Sequence, residues 1–188
     1  MQIEVLPLLQ VVIFPATVTP LAIGRPESIA LVDRAIDERR PLGMLTLRDP
    51  AARPAHPVGS DLYAVGTLAA VHRMVRLHDG SLRVAVEGIE RFAADSFEHR
   101  DGALWADIRA IAAPQFTLAD SAQLDTLIAS SAWLSAEQRA GLRQVSDDAA
   151  RLMQLCAALP PRTPTSARQH LLECTDAATI LSQIAAIG

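Results

Sequence analysis

The sequence predicts an α+β fold in which a β-rich part, residues 1–114, is followed by a bundle of helices, residues 115–188. Before Pro114, apolar and polar residues alternate and turn dipeptides recur, which is typical of strands and hairpins. After Pro114, apolar residues recur every three or four positions behind residues that cap helices. With 188 residues, of which 50% are apolar and 20% charged, the chain can bury a substantial core.

The N-terminal stretch Leu6–Gly24 contains two short apolar runs that are interrupted by Pro15 and Pro20. Proline has no backbone N–H to donate to a neighbouring strand, and its ring fixes φ. The pattern therefore predicts a strand, a bend and a second strand.

One helix is predicted inside the β-rich part, and it begins at Pro26, whose fixed φ suits the first helical position. It ends before Pro41, and Arg39 and Arg40 complement the negative end of its dipole. The apolar stripe of this helix consists of Ile29, Val32 and Ile36.

After this helix, the pattern predicts a short buried strand, Gly43–Leu47, and then a loop, Asp49–Ser60. The loop is rich in small residues and has three prolines in its twelve positions. Two roles are open for it, because loops of this length either serve function or simply connect elements. It either flanks a binding groove or is a plain connector.

Two hairpins are predicted farther along the chain. The first spans His72–Glu87, with Asp79-Gly80 as a two-residue turn that requires positive φ. The second joins residues 91–99 to residues 104–112 around Asp101-Gly102.

The second part of the chain shows the start signals of several helices. Ser135 with Gln138 forms a capping-box pattern, and Ser146 is a suitable residue before the next helix. Further helices are predicted over residues 118–132, after Thr163-Pro164 and after Thr175-Asp176. These segments together predict a small helical bundle.

All 17 basic residues are arginine, and the absence of lysine excludes two catalytic classes. A P-loop needs a lysine on the terminal phosphates, and a Ser-Lys dyad needs a lysine base. The five histidines and two cysteines do not have the spacing of a metal site, so we expect neither metal nor cofactor. No Gly-x-Ser-x-Gly elbow occurs, and we expect no enzymatic activity.

The net charge of −4 argues against a nucleic acid or an anionic membrane as partner. The longest apolar run, Val11–Ile23, is too short and too interrupted by proline to span a bilayer. The first residues, Met1–Glu4, lack the positive charge of a secretory signal, so we expect a cytoplasmic protein. There Cys156 and Cys174 are expected as free thiols, with one disulfide between helices as the alternative.

Several motifs, taken in their order along the chain, resemble the N-terminal domain of the Lon protease family. They are Leu6-Pro7-Leu8, Val11–Pro15, Pro20-Leu21, Gly24-Arg25, Val65-Gly66-Thr67, Asp79-Gly80, Val84–Arg91 and the helix, Leu-Pro, helix run from Asp147 to Glu173. Leu9-Gln10 departs from the family pattern, in which arginine is often followed by aspartate or asparagine. The match nevertheless spans most of the chain.

The resemblance implies a PUA-like pseudo-barrel of six strands with one helix, joined to a helical bundle. It also implies a non-catalytic module that recognises unfolded or damaged polypeptides, with a protease or a second copy of the chain as further partners. Members of the family continue into an ATPase module where this sequence stops at Gly188. We expect a stand-alone member that lacks the ATPase and protease modules, and the alternative is a segment of a longer protease.

A module that binds unfolded chains needs exposed apolar surface and backbone groups at a strand edge. The candidates for this surface lie near the bends of the β-rich part and are Phe14, Val18, Leu21 and Tyr63. The alternative is that these residues fill the core of the barrel, because apolar residues are usually buried.

A second function class is open because PUA-like barrels in other families bind nucleic acid or small molecules. Between Asp61 and Ala113 there are six arginines and eight carboxylates. Nucleic-acid binding would therefore need a segregated basic surface. The residues that would form it are Arg73, Arg76, Arg83 and Arg109.

Overall fold

The structure is a computed structural model that describes residues 1–52 and 54–187. It forms two compact units, one over Met1–Ile111 and one from Ala112 onward. Each unit is described by itself below. The division expected from the sequence, a β-rich subdomain over 1–114 and a helical subdomain over 115–188, stays a prediction.

The first unit is built on six strands and one helix. They are β1 (Gln2–Leu8), β2 (Val18–Ile23), α1 (Pro26–Asp37), β3 (Leu42–Thr46), β4 (Val65–Arg76), β5 (Leu82–Arg100) and β6 (Ala103–Ile111). The order in the sheet is β2-β5-β4-β3-β1-β6, and β6 also pairs with β5, so that five strands close into a ring. The expected α+β fold is confirmed.

The long strand β5 belongs to two parts of the sheet at once. Its first residues, 82–87, pair with β2, and its last residues, 91–100, pair with β6. The register between β4 and β5 shifts near Gly88, where Ile89 is an extra residue of β5. Such a bulge bends a strand, and here it marks the point where β5 passes from β2 to β6.

Helix α1 begins at Pro26, as expected, and its apolar side packs on the sheet. Val32 is fully buried there, while Ile29 and Ile36 are partly buried at the margin of the same cluster. The other members of this cluster that lie on β2 and β5 are Leu21, Ile23, Leu82, Val84 and Val86. One face of the β2-β5-β4 sheet is thus covered by the helix.

The second hairpin has the expected turn, since Asp101 and Gly102 have φ of 53° and 75°. The two-residue turn predicted at Asp79-Gly80 is wrong. There the loop comprises the five residues 77–81, and only Gly80 has positive φ. The reason is local, because the Asp79 carboxylate accepts bonds from the N–H and the hydroxyl of Ser81 at 2.9 and 2.6 Å.

The N-terminal strands are shifted relative to the expectation from the two prolines. Strand β1 ends at Leu8, and residues 9–17 connect it to β2 without forming a strand. Pro20 lies inside β2 and does not end it. A proline is tolerated in a strand that has a neighbour on one side only, and β2 is such a strand.

The second unit consists of helices, with residues 112–117 before the first of them. The helices are α2 (Leu118–Ser130), α3 (Ala136–Gln144), α4 (Asp148–Ala157), α5 (Thr165–Glu173) and α6 (Ala177–Ile187). The capping box of Ser135 and Gln138 is confirmed, with bonds of 2.8 and 3.1 Å. Asp147, rather than Ser146, caps α4, because its carboxylate accepts the N–H of Ala149 at 3.0 Å.

Cys156 is buried on α4 and Cys174 is half-buried after α5, and both are free thiols. Within the described part of the chain, His, Cys, Asp and Glu form no group of three that would hold a metal ion. Every helix of the described residues falls short of the length and hydrophobicity needed to cross a bilayer.

Candidate functional site

A groove of about 570 Å³ lies in the first unit between the end of β1 and β2, and we call it the edge groove. One wall is formed by residues 6–11 and the other by residues 20–25, with Ser28 of α1 at the end. Most of its lining is apolar, and the one charged residue of the lining is Arg25. The groove therefore suits uncharged, apolar groups.

Two strand edges border the edge groove. Among the described strands, β2 pairs with β5 alone, so its other side is open. Strand β1 pairs with β6 only over Gln2–Val5, and its last residues have a paired strand, β3, on one side only. An extended segment placed in the groove thus meets backbone groups that are not used in the sheet.

The backbone groups at the open side of β2 follow from its alternation. The N–H of Gly88 donates to the carbonyl of Thr17 at 3.0 Å, so Thr17 faces β5. Alternate residues of a strand direct their backbone groups to opposite sides. Val18, Pro20 and Ala22 therefore direct theirs to the open side, and Val18 and Ala22 each offer an N–H and a carbonyl oxygen.

Exposed apolar side chains surround this edge. Val18 is 64% exposed, Leu9 43% and Val11 36%, and Pro20 and Ala22 are also exposed. Large apolar side chains in contact with water are favourable binding surface, because covering them releases free energy. The edge groove thus combines free backbone groups with apolar surface.

The four residues proposed from the sequence occupy different environments. Val18 is exposed at the start of β2, and Leu21 lines the edge groove but is 7% exposed. Phe14 is fully buried in the core, so its side chain offers no surface to a ligand in this conformation. Tyr63 is half-buried beneath the guanidinium of Arg48, 5.0 Å from the ring centre, and does not line the groove.

The motifs that carry the family resemblance have structural roles around Phe14. Gly88 lies so close to the carbonyl of Phe14 that a Cβ would overlap its oxygen. A Cβ on Gly66 would overlap the carbonyl oxygen of Met44 in the same way. The buried Thr67 hydroxyl donates to the carbonyl of Ile13 at 2.6 Å. Gly88 and Thr67 thus hold the segment before β2 against the barrel, whereas Gly66 allows β3 and β4 to approach closely.

Sequence reasoning missed several residues of the groove, namely Leu9, Val11, Pro20 and Ala22. One signal was available, because a proline inside a strand pattern marks an edge strand. The other three residues are apolar positions that single-sequence patterns assign to the core.

A smaller pocket of about 210 Å³ adjoins the edge groove and shares Pro7, Arg25 and Ser28 with it. Its outer side is formed by residues 55–57 of the proline-rich loop. Arg25 donates to the carbonyl of Pro54 at 2.6 Å, and His99 bonds the carbonyl of Pro57 at 3.0 Å. Arg53, in the same loop, lies outside the described residues. The loop thus contributes a wall beside the groove.

The four arginines considered for nucleic-acid binding do not form one surface. Arg76 makes two hydrogen bonds of 2.8 and 2.9 Å to Asp33, on the side of the sheet that α1 covers. Arg109 is paired with Asp95 at 3.1 Å on β6. Only Arg73 and Arg83 share a face, so the continuous basic surface that nucleic-acid binding needs is not present in the described residues.

Comparison with known proteins decides the family. The sequence profile of the ATP-dependent protease La (LON) substrate-binding domain matches residues 2–186. This chain belongs to that family. The Lon substrate-binding domain is a non-catalytic module of the protease, and the match includes neither the ATPase nor the protease module.

Curated relatives are Lon proteases that are much longer than this chain. Lon protease 1 of Herpetosiphon aurantiacus is 42% identical over 90 residues, which are 48% of this chain and 11% of that protein. The Lon protease of Koribacter versatilis is 28% identical over 192 residues, which cover 97% of this chain and 23% of that protein. The chain therefore spans less than a quarter of the length of these two relatives.

Solved structures of Lon N-terminal domains have the same fold. The N-terminal domain of Mycobacterium avium complex Lon protease has a TM-score of 0.75 and 17% identity, with 100% of this chain and 97% of that chain covered. A Lon N-terminal domain protein from Xanthomonas campestris has a TM-score of 0.69 and 17% identity, with 99% and 98% covered. At this identity the likeness supports the fold alone.

Proposed function

We propose that this protein is a polypeptide-recognition module that binds unfolded or damaged proteins in the edge groove. The observation that carries the proposal is the open edge of β2 beside exposed apolar side chains. Unfolded chains differ in sequence, but all of them offer peptide groups and apolar side chains. A site that binds both peptide groups and apolar side chains can bind many clients, because it does not require one particular sequence.

In this mode a client segment adds to β2 as a further strand. The N–H and carbonyl groups of Val18 and Ala22 bond its backbone, as in other cases of strand addition. Pro20 contributes only a carbonyl, which limits the number of bonds and keeps the edge from pairing too readily. Affinity then depends largely on apolar contacts.

Those contacts come from the side chains around the edge. Leu9 and Val11 form the opposite wall of the groove, and Val18 extends the apolar surface along β2. Burying one such side chain fully contributes about 1.5–3 kcal/mol. These contacts and the backbone bonds together must exceed the cost of association and of ordering the client, about 4–15 kcal/mol, before any affinity remains.

The test is fluorescence anisotropy with reduced, carboxymethylated lactalbumin as an unfolded client. The double variant Leu9→Ser/Val11→Ser is expected to weaken binding about tenfold, because it removes one wall of the groove. Ala22→Pro is expected to weaken binding about threefold to tenfold, because it removes an N–H donor at the open edge. The matched control is Leu118→Ser, which changes a residue that is 93% exposed in the second unit.

Saturable binding that persists at high salt and weakens only in the groove variants supports the proposal. Equal affinities of the groove variants and the control would place the client elsewhere. Binding to single-stranded RNA in the same assay, lost at high salt and without binding to lactalbumin, would favour the nucleic-acid class and refute the proposal.

A further inference from the structure

The sheet formed by β2, β5 and β4 has a second face, opposite α1, that is open in the described residues. We call it the outer face. Its side chains alternate with the buried ones that pack on α1, and they are Val18, Pro20, Ala22, Arg73, Val75, Arg83, Ala85 and Glu87. Ala85 and Glu87 are half-buried, and the others are exposed.

The pairing of the strands arranges these side chains in rows across the sheet. Ala22 is opposite Arg83, and Arg83 is opposite Val75. Pro20 is opposite Ala85, and Ala85 is opposite Arg73. Each of these two rows therefore contains one arginine among small or apolar residues.

Among the described residues, neither arginine of the outer face makes a direct ion pair, unlike the neighbouring Arg76, although Arg83 lies close enough to Asp79 for its charge to help lower the pKa of that carboxyl. Glu87, the one carboxylate on this face, is bonded to His72. The two arginines therefore outnumber the one carboxylate of the outer face, in a chain whose net charge is −4. Charges at the margin of a binding site select partners of opposite charge.

We propose that the outer face makes the protein prefer clients that carry carboxylates among their apolar residues. This preference rests on the polypeptide binding proposed above, because the outer face is continuous with the open edge of β2 through Pro20 and Ala22. The occupant is thus a polypeptide segment with aspartate or glutamate beside apolar side chains.

The geometry of one row shows how a carboxylate is recognised. A client strand that pairs with β2 lies about 10 Å from β5, which is two strand spacings. Ala22 stands between them, and its methyl group leaves space above the sheet. The side chain of Arg83 is long enough to reach across Ala22 to a client carboxylate in the same row.

A polypeptide fits this face better than a nucleic acid does. Two arginines separated by Ala85 and Val75 give a mixed surface, whereas phosphate backbones are bound by closely spaced cations. The apolar residues of the face favour a ligand whose charges alternate with apolar groups. A peptide strand with carboxylates at some positions has this property.

The experiment compares three fluorescein-labelled peptides that have the same leucines and valines. Their remaining positions are glutamine, glutamate or lysine. The protein is expected to bind the glutamate peptide about fivefold more tightly than the glutamine peptide at low salt, and about equally at high salt. The lysine peptide is expected to bind most weakly.

Two double variants with the same change in net charge locate the effect. Arg73→Glu/Arg83→Glu is expected to abolish the preference for the glutamate peptide, and Arg83→Gln to reduce it. Arg143→Glu/Arg162→Glu, which changes exposed residues of the second unit, is expected to preserve it. Affinity for the glutamine peptide is expected to stay within about twofold in all variants, which also shows that they are folded.

Equal binding of the three peptides by the unchanged protein would overturn this preference and leave polypeptide binding in place. Absence of binding to any peptide would contradict both proposals. A preference that persists in Arg73→Glu/Arg83→Glu would place the selecting charges elsewhere. Displacement of the glutamate peptide by single-stranded RNA, dependent on these arginines, would overturn the choice of a polypeptide partner.

Discussion

Gly88 on β5 lies directly against the main chain of Phe14, where a Cβ would be 2.9 Å from the carbonyl carbon. The carbonyl of Gly88 accepts the N–H of Ala16 at 2.8 Å, and its N–H donates to Thr17 at 3.0 Å. Two segments that are far apart in sequence are thus joined through one glycine. This contact fixes where β2 begins, and hence the position of the open edge.

The first prediction concerns this contact. Gly88→Ala is expected to destabilise the protein by about 2–3 kcal/mol, because the methyl group forces the main chain of Phe14 away. Gly24→Ala is the control, since a Cβ at Gly24 meets nothing within 4 Å. Urea unfolding should show a change below about 0.5 kcal/mol for the control. Equal stability of the two variants would contradict the close approach.

Glu4 carries a buried carboxylate that is shared by two arginines, and this supplies the second prediction. Its carboxylate accepts hydrogen bonds from Arg34, at 2.9 Å, and from Arg40. The side chain of Glu4 is only 4% exposed. Burial lowers the pKa of Arg40, but its bonds to Glu4 and Glu38 outweigh this and raise the pKa. Arg34 pairs with Glu4, whereas Arg40 pairs with both Glu4 and Glu38.

Glu4→Gln is expected to lower the free energy of unfolding by about 2–3 kcal/mol, because it removes the carboxylate that Arg34 pairs with and leaves Arg40 with Glu38 alone. Asp95→Asn removes an exposed carboxylate that pairs with Arg109 and is expected to cost less than about 1 kcal/mol. Chemical denaturation of both variants measures the difference. An equal loss of stability in the two variants would mean that the burial of Glu4 does not strengthen its ion pairs.

Arg168 supports the C-terminal end of α4, where helix carbonyls lack partners within the helix. Its guanidinium donates to the carbonyls of Cys156, Ala157, Leu159 and Pro160 at 3.4, 3.3, 2.7 and 2.9 Å. Arg168→Ala is expected to destabilise the protein by about 1–3 kcal/mol, because these acceptors lose their donor. Arg162→Ala, an exposed neighbour, is the control in thermal unfolding followed by circular dichroism. A melting temperature for Arg168→Ala that equals that of the control would refute the role.

Because of Asp176, the stability of the second unit is expected to fall at acid pH. Its carboxylate accepts the hydroxyl of Thr179 at 2.6 Å and its N–H at 2.7 Å, and these bonds lower the pKa of Asp176 from its ordinary value of 3.8. A carboxylate whose pKa is lower in the folded than in the unfolded state stabilises the fold. Its full contribution is present at pH values above the pKa of the unfolded state. This contribution is lost as pH falls through the folded pKa.

Asp176→Asn is therefore expected to melt at a lower temperature than the unchanged protein at neutral pH. The difference should shrink as pH falls below about 3.8, because the unchanged protein then loses its own contribution. Melting curves between neutral pH and pH 3 test this. A difference that stays constant over this range would show that the carboxylate charge is not involved.

Features that depend on neighbouring residues could be predicted from the sequence. The capping box of Ser135 and Gln138 and the turn at Asp101-Gly102 are determined within a few residues, and both are present as expected. The two-residue turn predicted at Asp79-Gly80 is wrong, because the hydrogen bond between Asp79 and Ser81 favours a longer loop. Local rules are reliable only where no such contact competes.

The candidate site could be predicted only in part, because it depends on contacts between distant segments. Phe14 and Val18 are both apolar residues near Pro15, yet Phe14 is fully buried and Val18 is exposed. The difference comes from Gly88 and Thr67, which hold the main chain beside Phe14. No property of the segment itself shows which of its apolar residues faces solvent.

Hydrogen exchange of the backbone amides, with and without unfolded lactalbumin, tests the central claim most directly. The N–H groups of Val18 and Ala22 at the open edge of β2 should exchange quickly in the free protein and slow down when the client binds. Amides of α4, which are bonded within the helix, should not change. Unchanged exchange in β2, at a client concentration that saturates binding, would show that the client does not bind at this edge.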